Sequence, residues 1–234
     1  MFYRKKLLPH PVGAGIIFGQ FFPGDSMFDI TTYAQQAQAL IDAGRFLYAQ
    51  GWSTATSSNY SARIDESHIA ITVSGRHKGQ LSAGDIMVVD LDGRPVQCQT
   101  RPSAETLLHT ELYRLFPETG AVLHTHSLGV TVLTMHLKGQ DAVVFEGYEL
   151  QKALTGQTTH EAAVPVRIFD NTQDIPELAA ESRDWLAAHP DVPAYFIRGH
   201  GLYTWAKDMA TCLRHVEALE FLVNCELERI RMER

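Results

Sequence analysis

Two histidines separated by a single residue are the chain's clearest candidates for chemistry. His124 and His126 lie in a short run that predicts a β-strand. Alternate strand residues project from the same face, so both imidazoles would converge and supply half of a tetrahedral zinc site. His200, between Gly199 and Gly201, is the best candidate for a third ligand because its small neighbours allow close approach. The alternative is that the pair occurs by chance on a polar face of a histidine-rich chain.

Two glutamates could act as acid or base beside such a metal. Glu105 follows Pro102-Ser103 and should lie in the first turn of a helix, where the helix dipole and a nearby cation favour its ionised form. Glu149 follows a short apolar run that predicts a strand, and could reach a site at the end of that strand. Each also has an ordinary interpretation, Glu105 as an N-terminal helix acid and Glu149 as a surface glutamate.

Small polar residues in three predicted loops could bind phosphate. Asn59, Ser74, Gly75 and Ser103 would provide N–H and hydroxyl donors, and Lys78 would add positive charge. The same residue types also form turns for purely conformational reasons, so each loop taken separately is as typical of a turn.

Length and composition limit the classes of function. With 234 residues and 45% hydrophobic content but no long apolar run, the chain fits one globular domain and not a membrane protein. A formal charge of -7 disfavours nucleic acid as a partner. Three cysteines without a C-x-x-C pair favour a reduced, cytoplasmic location. Residues 1–26 are interpreted as a loose extension or an overcalled start, and residues 27–234 as the catalytic domain.

Hydrophobic periodicity predicts interleaved helices and strands, and hence a layered α/β domain. Residues 54–61, which are small and polar, are typical of a turn, and Asp92-Gly93 is the strongest signal for a hairpin turn. Cys212 and Cys225 are expected to pack in a helix. Helices are predicted over 31–51, 104–116, 127–137, 176–188 and from 208 onward, and strands over 69–73, 86–91, 121–126, 142–145, 163–169, 194–197 and 202–205.

An ordered series of motifs resembles the class II aldolase/adducin family from about residue 33 to the C-terminus. The chain looks most like the methionine-salvage dehydratases of that family, especially through Tyr148-Glu149-Leu-Gln-Lys152-Ala. Residues 1–26 match nothing in this pattern, and Ala206 stands where relatives often carry glycine. The motifs are Ser58-Asn59-Tyr-Ser, Thr72-Val-Ser74-Gly75, Pro102-Ser103-Ala-Glu105, His124-Thr-His126-Ser and Gly199-His200-Gly-Leu-Tyr-Thr-Trp.

The resemblance implies an α/β/α sandwich around a mostly antiparallel sheet, assembled as a cyclic homotetramer with sites near subunit contacts. It also implies one catalytic zinc per subunit. Glu105 matches the acid/base of the family's aldolases and Glu149 that of its dehydratases, and we rank Glu149 first. The implied zinc ligands are His124, His126 and His200, and the implied phosphate contacts are Asn59, Ser74, Gly75 and Ser103.

The expected reaction is loss of water from a phosphorylated ketose through a metal-stabilised enediolate. A class II aldolase or epimerase would use the same enediolate and differ only in breaking or rebuilding a carbon–carbon bond. A non-catalytic interaction module like the adducin head is the alternative of a different class. Retention of His124, His126, His200 and Glu149 argues against that module.

Overall fold

The computed structural model describes residues 27–96 and 100–233, and in them eight strands form one sheet. The strands are β1 (Asn59–Arg63), β2 (His68–Thr72), β3 (Ile86–Asp90), β4 (Ala121–Thr125), β5 (Ala142–Phe145), β6 (Val164–Phe169), β7 (Ala194–Ile197) and β8 (Gly201–Ala206). Their spatial order is β3-β2-β1-β4-β8-β7-β6-β5. Every neighbouring pair is antiparallel except β6 and β7, so the prediction of a mostly antiparallel sheet is confirmed.

Helices cover both faces of the sheet, which makes the predicted α/β/α sandwich. They are α1 (Ile30–Ala49), α2 (Thr106–Leu115), α3 (Leu128–His136), α4 (Ile175–Ala188) and α5 (Met209–Met232), with short 3₁₀ helices at Lys78–Gln80, Ala83–Asp85 and Glu149–Ala153. One apolar core lies between the sheet and α1, α3 and α5, and a second lies between the sheet and α2 and α4. None of the described helices is long and apolar enough to cross a bilayer.

Side-chain caps explain where several helices begin. The Asp208 carboxylate accepts the N–H of Thr211 at 2.7 Å and starts α5, as the sequence predicts. In α1 the cap is Asp29, which accepts the N–H of Thr31, so this helix begins at Ile30, one residue before its predicted start. An aspartate oxygen reaches the free N–H groups at the start of a helix, which have no partner within it.

Strand β1 is the main element that the sequence pattern misses. Its first three residues belong to the stretch predicted as a turn, yet the whole strand lies in the sheet between β2 and β4. Asn59, Tyr60, Ser61 and Ala62 are all buried, so the strand shows no alternation of apolar and polar residues. A strand covered on both faces loses the period-two signal on which its prediction depends.

Two smaller expectations fare differently. Asp92-Gly93 does turn the chain, but in the described residues it leads only to an isolated bridge between Val89 and Pro95 and not to a two-stranded hairpin. Cys212 and Cys225 both lie on α5 as expected, and both are free thiols. The interpretations of residues 1–26 and of Cys98 lie outside the described residues.

The central strands β4 and β8 place the candidate site. They run antiparallel in the register His124 opposite Tyr203, so the end of β4 and the beginning of β8 meet at the same edge of the sheet. His126 follows β4 and His200 precedes β8. The sheet therefore brings together three histidines that are far apart in sequence.

Candidate active site

The imidazoles of His124, His126 and His200 converge as the sequence predicts. Nε2 of His126 lies 2.8 Å from Nε2 of His124 and 3.1 Å from Nε2 of His200. Each residue offers one ligand atom, and these atoms all lie within 4.8 Å of one another. His124 is fully buried, while His126 and His200 are partly open.

The other ring nitrogens of two of these histidines have their own partners. Nδ1 of His124 donates to the carbonyl of Leu202 at 2.8 Å, and Nδ1 of His200 is 3.2 Å from Oδ1 of Asn171. With the proton on Nδ1, the lone pair of Nε2 points into the cluster. Because lone pairs that face one another repel unless a cation lies between them, these residues fit a divalent metal ion.

Three neighbouring residues help to place the rings. The ring of Tyr203 stacks on His124 with centroids 4.0 Å apart. Gly201 lets β8 approach β4, because a Cβ at this position would lie 1.9 Å from the carbonyl oxygen of Thr125. Gly199 has φ of 64°, which glycine adopts without strain. Gly201 therefore has the close-approach role that the sequence assigned to it, and Gly199 provides a left-handed turn before His200.

Glu105 joins the cluster from the beginning of α2. It lies at the N-cap position, but its carboxylate makes no hydrogen bond to its own helix. Instead Oε1 lies 3.2 Å from Nε2 of His200, and Oε2 lies 3.6 Å from Nε2 of His124. Oε2 also accepts a hydrogen bond from the amide of Asn59. Glu105 is therefore placed to bind a metal or to move a proton beside it.

Burial and close contacts shift the ionisation of the cluster. Although burial alone raises the pKa of Glu105, the neighbouring His124, His200 and Asn59 outweigh it and hold that pKa well below its usual range. Burial lowers the pKa of His126 to about 4 and that of His124 well below its ordinary value. These two imidazoles are neutral at neutral pH, which is the form that binds a metal.

Four of the five predicted phosphate contacts line one small cavity beside the cluster. Asn59, Ser74, Gly75 and Ser103 surround about 130 Å³, together with Glu105 and His126. Gly75 has φ of 73°, so the turn after β2 depends on glycine there. Three loops thus place small donors around one space next to the imidazoles, as the sequence predicts.

Lys78 and Glu149 are placed differently from the other predicted site residues. Lys78 is buried and donates to the carbonyl of Arg76 at 2.7 Å; burial lowers its pKa to about 8, and it does not line the small cavity. Glu149 begins a 3₁₀ helix, is 72% exposed and pairs with Lys152 and His160. Within one chain, the structure therefore does not bring Glu149 to the imidazole cluster.

A second, wider cavity opens on the other side of His126 and His200. It measures about 640 Å³ and is bounded by residues that the sequence did not single out, among them Thr54, Leu128 and Asn171. His109, on α2, is fully buried and hydrogen-bonded to Asn59 and Ser61. No sequence pattern reveals these contacts, because they join residues about fifty positions apart.

Comparison with known proteins extends these observations. Residues 38–227 match the family model described as the class II aldolase and adducin N-terminal domain. A methylthioribulose-1-phosphate dehydratase from Marinobacter nauticus is 65% identical over 208 residues, 89% of this chain and 100% of that protein. The enzyme of the same name from Hahella chejuensis is 61% identical over 207 residues, 88% of this chain and 100% of that protein. The crystal structure of L-fuculose-1-phosphate aldolase from Thermus thermophilus matches the fold with a TM-score of 0.69 at 23% identity, covering 86% of this chain and 99% of that one.

Proposed function

This chain belongs to the class II aldolase and adducin family, and on that premise we propose that it is a methylthioribulose-1-phosphate dehydratase. The reaction removes water from 5-methylthioribulose 1-phosphate and leaves 2,3-diketo-5-methylthiopentyl 1-phosphate, a step of methionine salvage. The observation that carries the proposal is the convergence of three imidazoles and Glu105 beside a cavity lined by phosphate-type donors. Relatives that share more than half of their residues with this chain over their full length support the choice of substrate.

The metal would be held by His124, His126 and His200, and we assign it as zinc, one per subunit. Nitrogen ligands suit zinc, and three protein ligands would leave a coordination position open. A bound zinc ion would act as a Lewis acid toward negative charge that develops on the substrate's carbonyl oxygen. The chain itself fixes the orientation of two of the three rings, through Leu202 and Asn171.

The small cavity would receive the phosphate. Ser74, Gly75 and Ser103 can direct hydroxyl or backbone N–H groups at phosphate oxygens, and His126 also borders the space. Anchoring the phosphate there would orient carbons C2 and C3 of the substrate toward the imidazole cluster, which lowers the entropic cost of reaching the transition state. The wider cavity would then receive the methylthio end of the substrate.

Glu149 is our candidate for the acid and base. It would take the proton from C3 and then give a proton to the departing C4 hydroxyl, so that water leaves and the resulting enol becomes the diketone. Because Glu149 is exposed and pairs with Lys152 and His160 within its own chain, we propose that it serves the site of a second chain in a homotetramer. A reduced, cytoplasmic location is consistent with the free thiols of Cys212 and Cys225.

The direct test is product analysis with the purified, zinc-loaded protein. Incubation with 5-methylthioribulose 1-phosphate should produce a vicinal diketone, which an aromatic 1,2-diamine traps as a quinoxaline that mass spectrometry detects. The zinc-free protein is the control and should give none. Complete recovery of the substrate with a fully loaded enzyme would refute the proposal.

An aldolase is the second candidate, because Glu105 lies against His200 where a class II aldolase would need its carboxylate. Cleavage between C3 and C4 of the same substrate would release dihydroxyacetone phosphate and methylthioacetaldehyde. A coupled dehydrogenase assay for dihydroxyacetone phosphate distinguishes the two reactions. We expect diketone without triose phosphate, and the reverse outcome would assign the chain to the aldolases.

A further inference from the structure

A chain of hydrogen bonds leads from Glu105 into the interior, between β1 and α2. His109 is fully buried, with Nδ1 2.7 Å from Oγ of Ser61 and Nε2 against Oδ1 of Asn59. The amide nitrogen of Asn59 in turn donates to Oε2 of Glu105. Oγ of Ser61 is also 3.0 Å from the hydroxyl of Tyr113. These contacts connect residues of β1 and α2 to the carboxylate at the imidazole cluster.

The orientation of the Asn59 amide determines every donor and acceptor in this chain. Its nitrogen donates to Oε2 of Glu105, and its oxygen, which can only accept, faces Nε2 of His109. His109 must therefore carry its proton on Nε2, which leaves Nδ1 to accept from the Ser61 hydroxyl. Ser61 then accepts from Tyr113. One consistent direction of donation follows, from Tyr113 to Glu105.

His109 is well suited to hold this direction. Burial lowers its pKa to about 4, so near neutral pH the ring is neutral and has one donor and one acceptor nitrogen. The ring also packs edge-on against Tyr203, with centroids 5.6 Å apart, and Tyr203 stacks on His124. A ring confined in this way cannot rotate to present a different nitrogen to Asn59.

We propose that His109 is a positioning residue that sets the orientation of the Asn59 amide and, through it, holds the Glu105 carboxylate against the imidazole cluster. The inference rests on the proposed metal site for its functional consequence. It also adds to the part played by Asn59, whose amide nitrogen donates to Glu105 and whose oxygen accepts from His109. Asn59 therefore keeps one amide N–H for a phosphate.

The alternative is that His109 only fills space beneath the sheet. Two substitutions of His109 distinguish these cases, one that keeps a hydrogen-bond donor toward Asn59 and one that removes it. In His109→Gln, the amide can place an N–H near the position of Nε2, whereas His109→Leu fills the space without a donor. A positioning role predicts that glutamine rescues function and leucine does not, and a packing role predicts no such difference.

The test measures zinc affinity by competition with a chromophoric chelator, on the full chain and without substrate. Loss of an outer hydrogen-bond partner typically costs 10- to 100-fold in metal affinity, so we expect about a tenfold or larger loss in His109→Leu and no more than about threefold in His109→Gln. In the metal-free parent, nitrogen NMR of the histidines should show His109 protonated on Nε2. The variant that loses zinc affinity should also lose turnover, and the fold decrease in kcat should exceed the fold change in KM.

A matched pair at another buried histidine serves as the control. His215→Gln and His215→Leu should both leave zinc affinity unchanged, since His215 contacts Thr155 and Thr204 and no residue of the cluster. Equal losses in His109→Gln and His109→Leu, or a His109 proton on Nδ1, would overturn the inference. If the parent binds zinc and the His109 variants split as expected but no diketone forms, the proposed reaction fails and the positioning role remains.

Discussion

Histidines lie near both ends of strand β8, but the groups that surround their ring nitrogens differ. At the beginning of β8, three imidazoles direct ring nitrogens at one another, 2.8 and 3.1 Å apart. Near the other end, Nε2 of His215 accepts the N–H of Thr155 at 3.0 Å, and Nδ1 is 3.3 Å from the hydroxyl of Thr204. Every nitrogen of His215 thus has a complementary partner.

A lowered histidine pKa does not by itself indicate a metal ligand. Burial lowers the pKa of His215 and of His126 alike, to about 4 in each case. Both imidazoles are neutral at neutral pH, so a lowered pKa does not distinguish a ligand from a structural histidine. The difference is that at the beginning of β8 the imidazole nitrogens face one another and the Glu105 carboxylate, an arrangement that suits a cation between them.

The largest difference between the two ends of β8 should appear when one histidine is removed from each. We expect His126→Ala to lose its zinc and to lower turnover by about 10⁴-fold or more, because the remaining nitrogens form only part of a site. His215→Ala should keep one zinc per chain and most of the turnover, but lower the free energy of unfolding by about 1–3 kcal/mol, because the N–H of Thr155 loses its acceptor. Metal analysis by mass spectrometry, rate assays and denaturant unfolding measure these effects. One zinc per chain in His126→Ala would contradict the ligand assignment.

Glu149→Gln should have the next largest effect. A glutamine cannot take or give the proton, so turnover should fall by about 10²–10⁴-fold while the zinc content is unchanged. Steady-state kinetics and metal analysis of the same preparation provide the measurement. A rate near that of the parent would transfer the acid/base role to Glu105, which already lies at the cluster.

Mixing two inactive variants tests whether Glu149 serves another chain. When His126→Ala and Glu149→Gln chains are dissociated and reassembled together, some sites should combine an intact cluster from one chain with an intact Glu149 from another. We expect a fraction of the parent activity to return, whereas either variant reassembled alone should stay inactive. No recovery in mixed oligomers of verified composition would place Glu149 at the site of its own chain.

The sequence predicted the imidazole end of the molecule well, because short-range patterns determine it. Residues His124 and His126 follow from strand periodicity, and Gly199 and Gly201 signal the close approach around His200. The motif series supplied what periodicity could not, namely the roles that we propose for Ser74, Ser103 and the two glutamates. The central strand pair and most helices were predicted within a few residues of their observed bounds.

Other parts of the site depend on contacts that local patterns do not encode. Strand β1 is buried on both faces and lacks alternation, so its pairing of Asn59 with His124 was not foreseen. The hydrogen bonds from His109 to Asn59 span fifty positions and exist only once β1 and α2 have packed. Whether Glu149 faces its own site or that of another chain depends on assembly, which a single sequence does not specify.

Opposite pH responses should sharpen the contrast between the two ends. Glu220, on α5, is buried near Ser127 at the imidazole end, and burial raises its pKa to about 7. Between pH 4.5 and 7 the folded protein therefore binds more protons at Glu220 than the unfolded chain does. As a result, the free energy of unfolding falls as pH rises through that window. His215 has a lowered pKa of about 4, so stability falls as pH drops from 6.5 to 4. Each effect is at most about 3 kcal/mol. Glu220→Gln should abolish the first loss, whereas His215→Gln should only reduce the second, because the lowered pKa values of His126 and His109 also contribute to it. Denaturant unfolding of the metal-free protein from pH 4 to 8 measures both effects.

The smallest effect should appear at the phosphate cavity. Ser74→Ala removes one hydroxyl near the phosphate, and we expect KM to rise about tenfold with kcat nearly unchanged, since this contact would bind the substrate and the transition state equally. Ser67→Ala is the matched control, because Ser67 is exposed in the turn at the opposite end of β2. If KM is unchanged in both variants, Ser74 is not a phosphate contact. If instead kcat falls while KM is preserved, the hydroxyl contributes to the transition state alone, and the phosphate must be anchored mainly by Ser103 and backbone N–H groups.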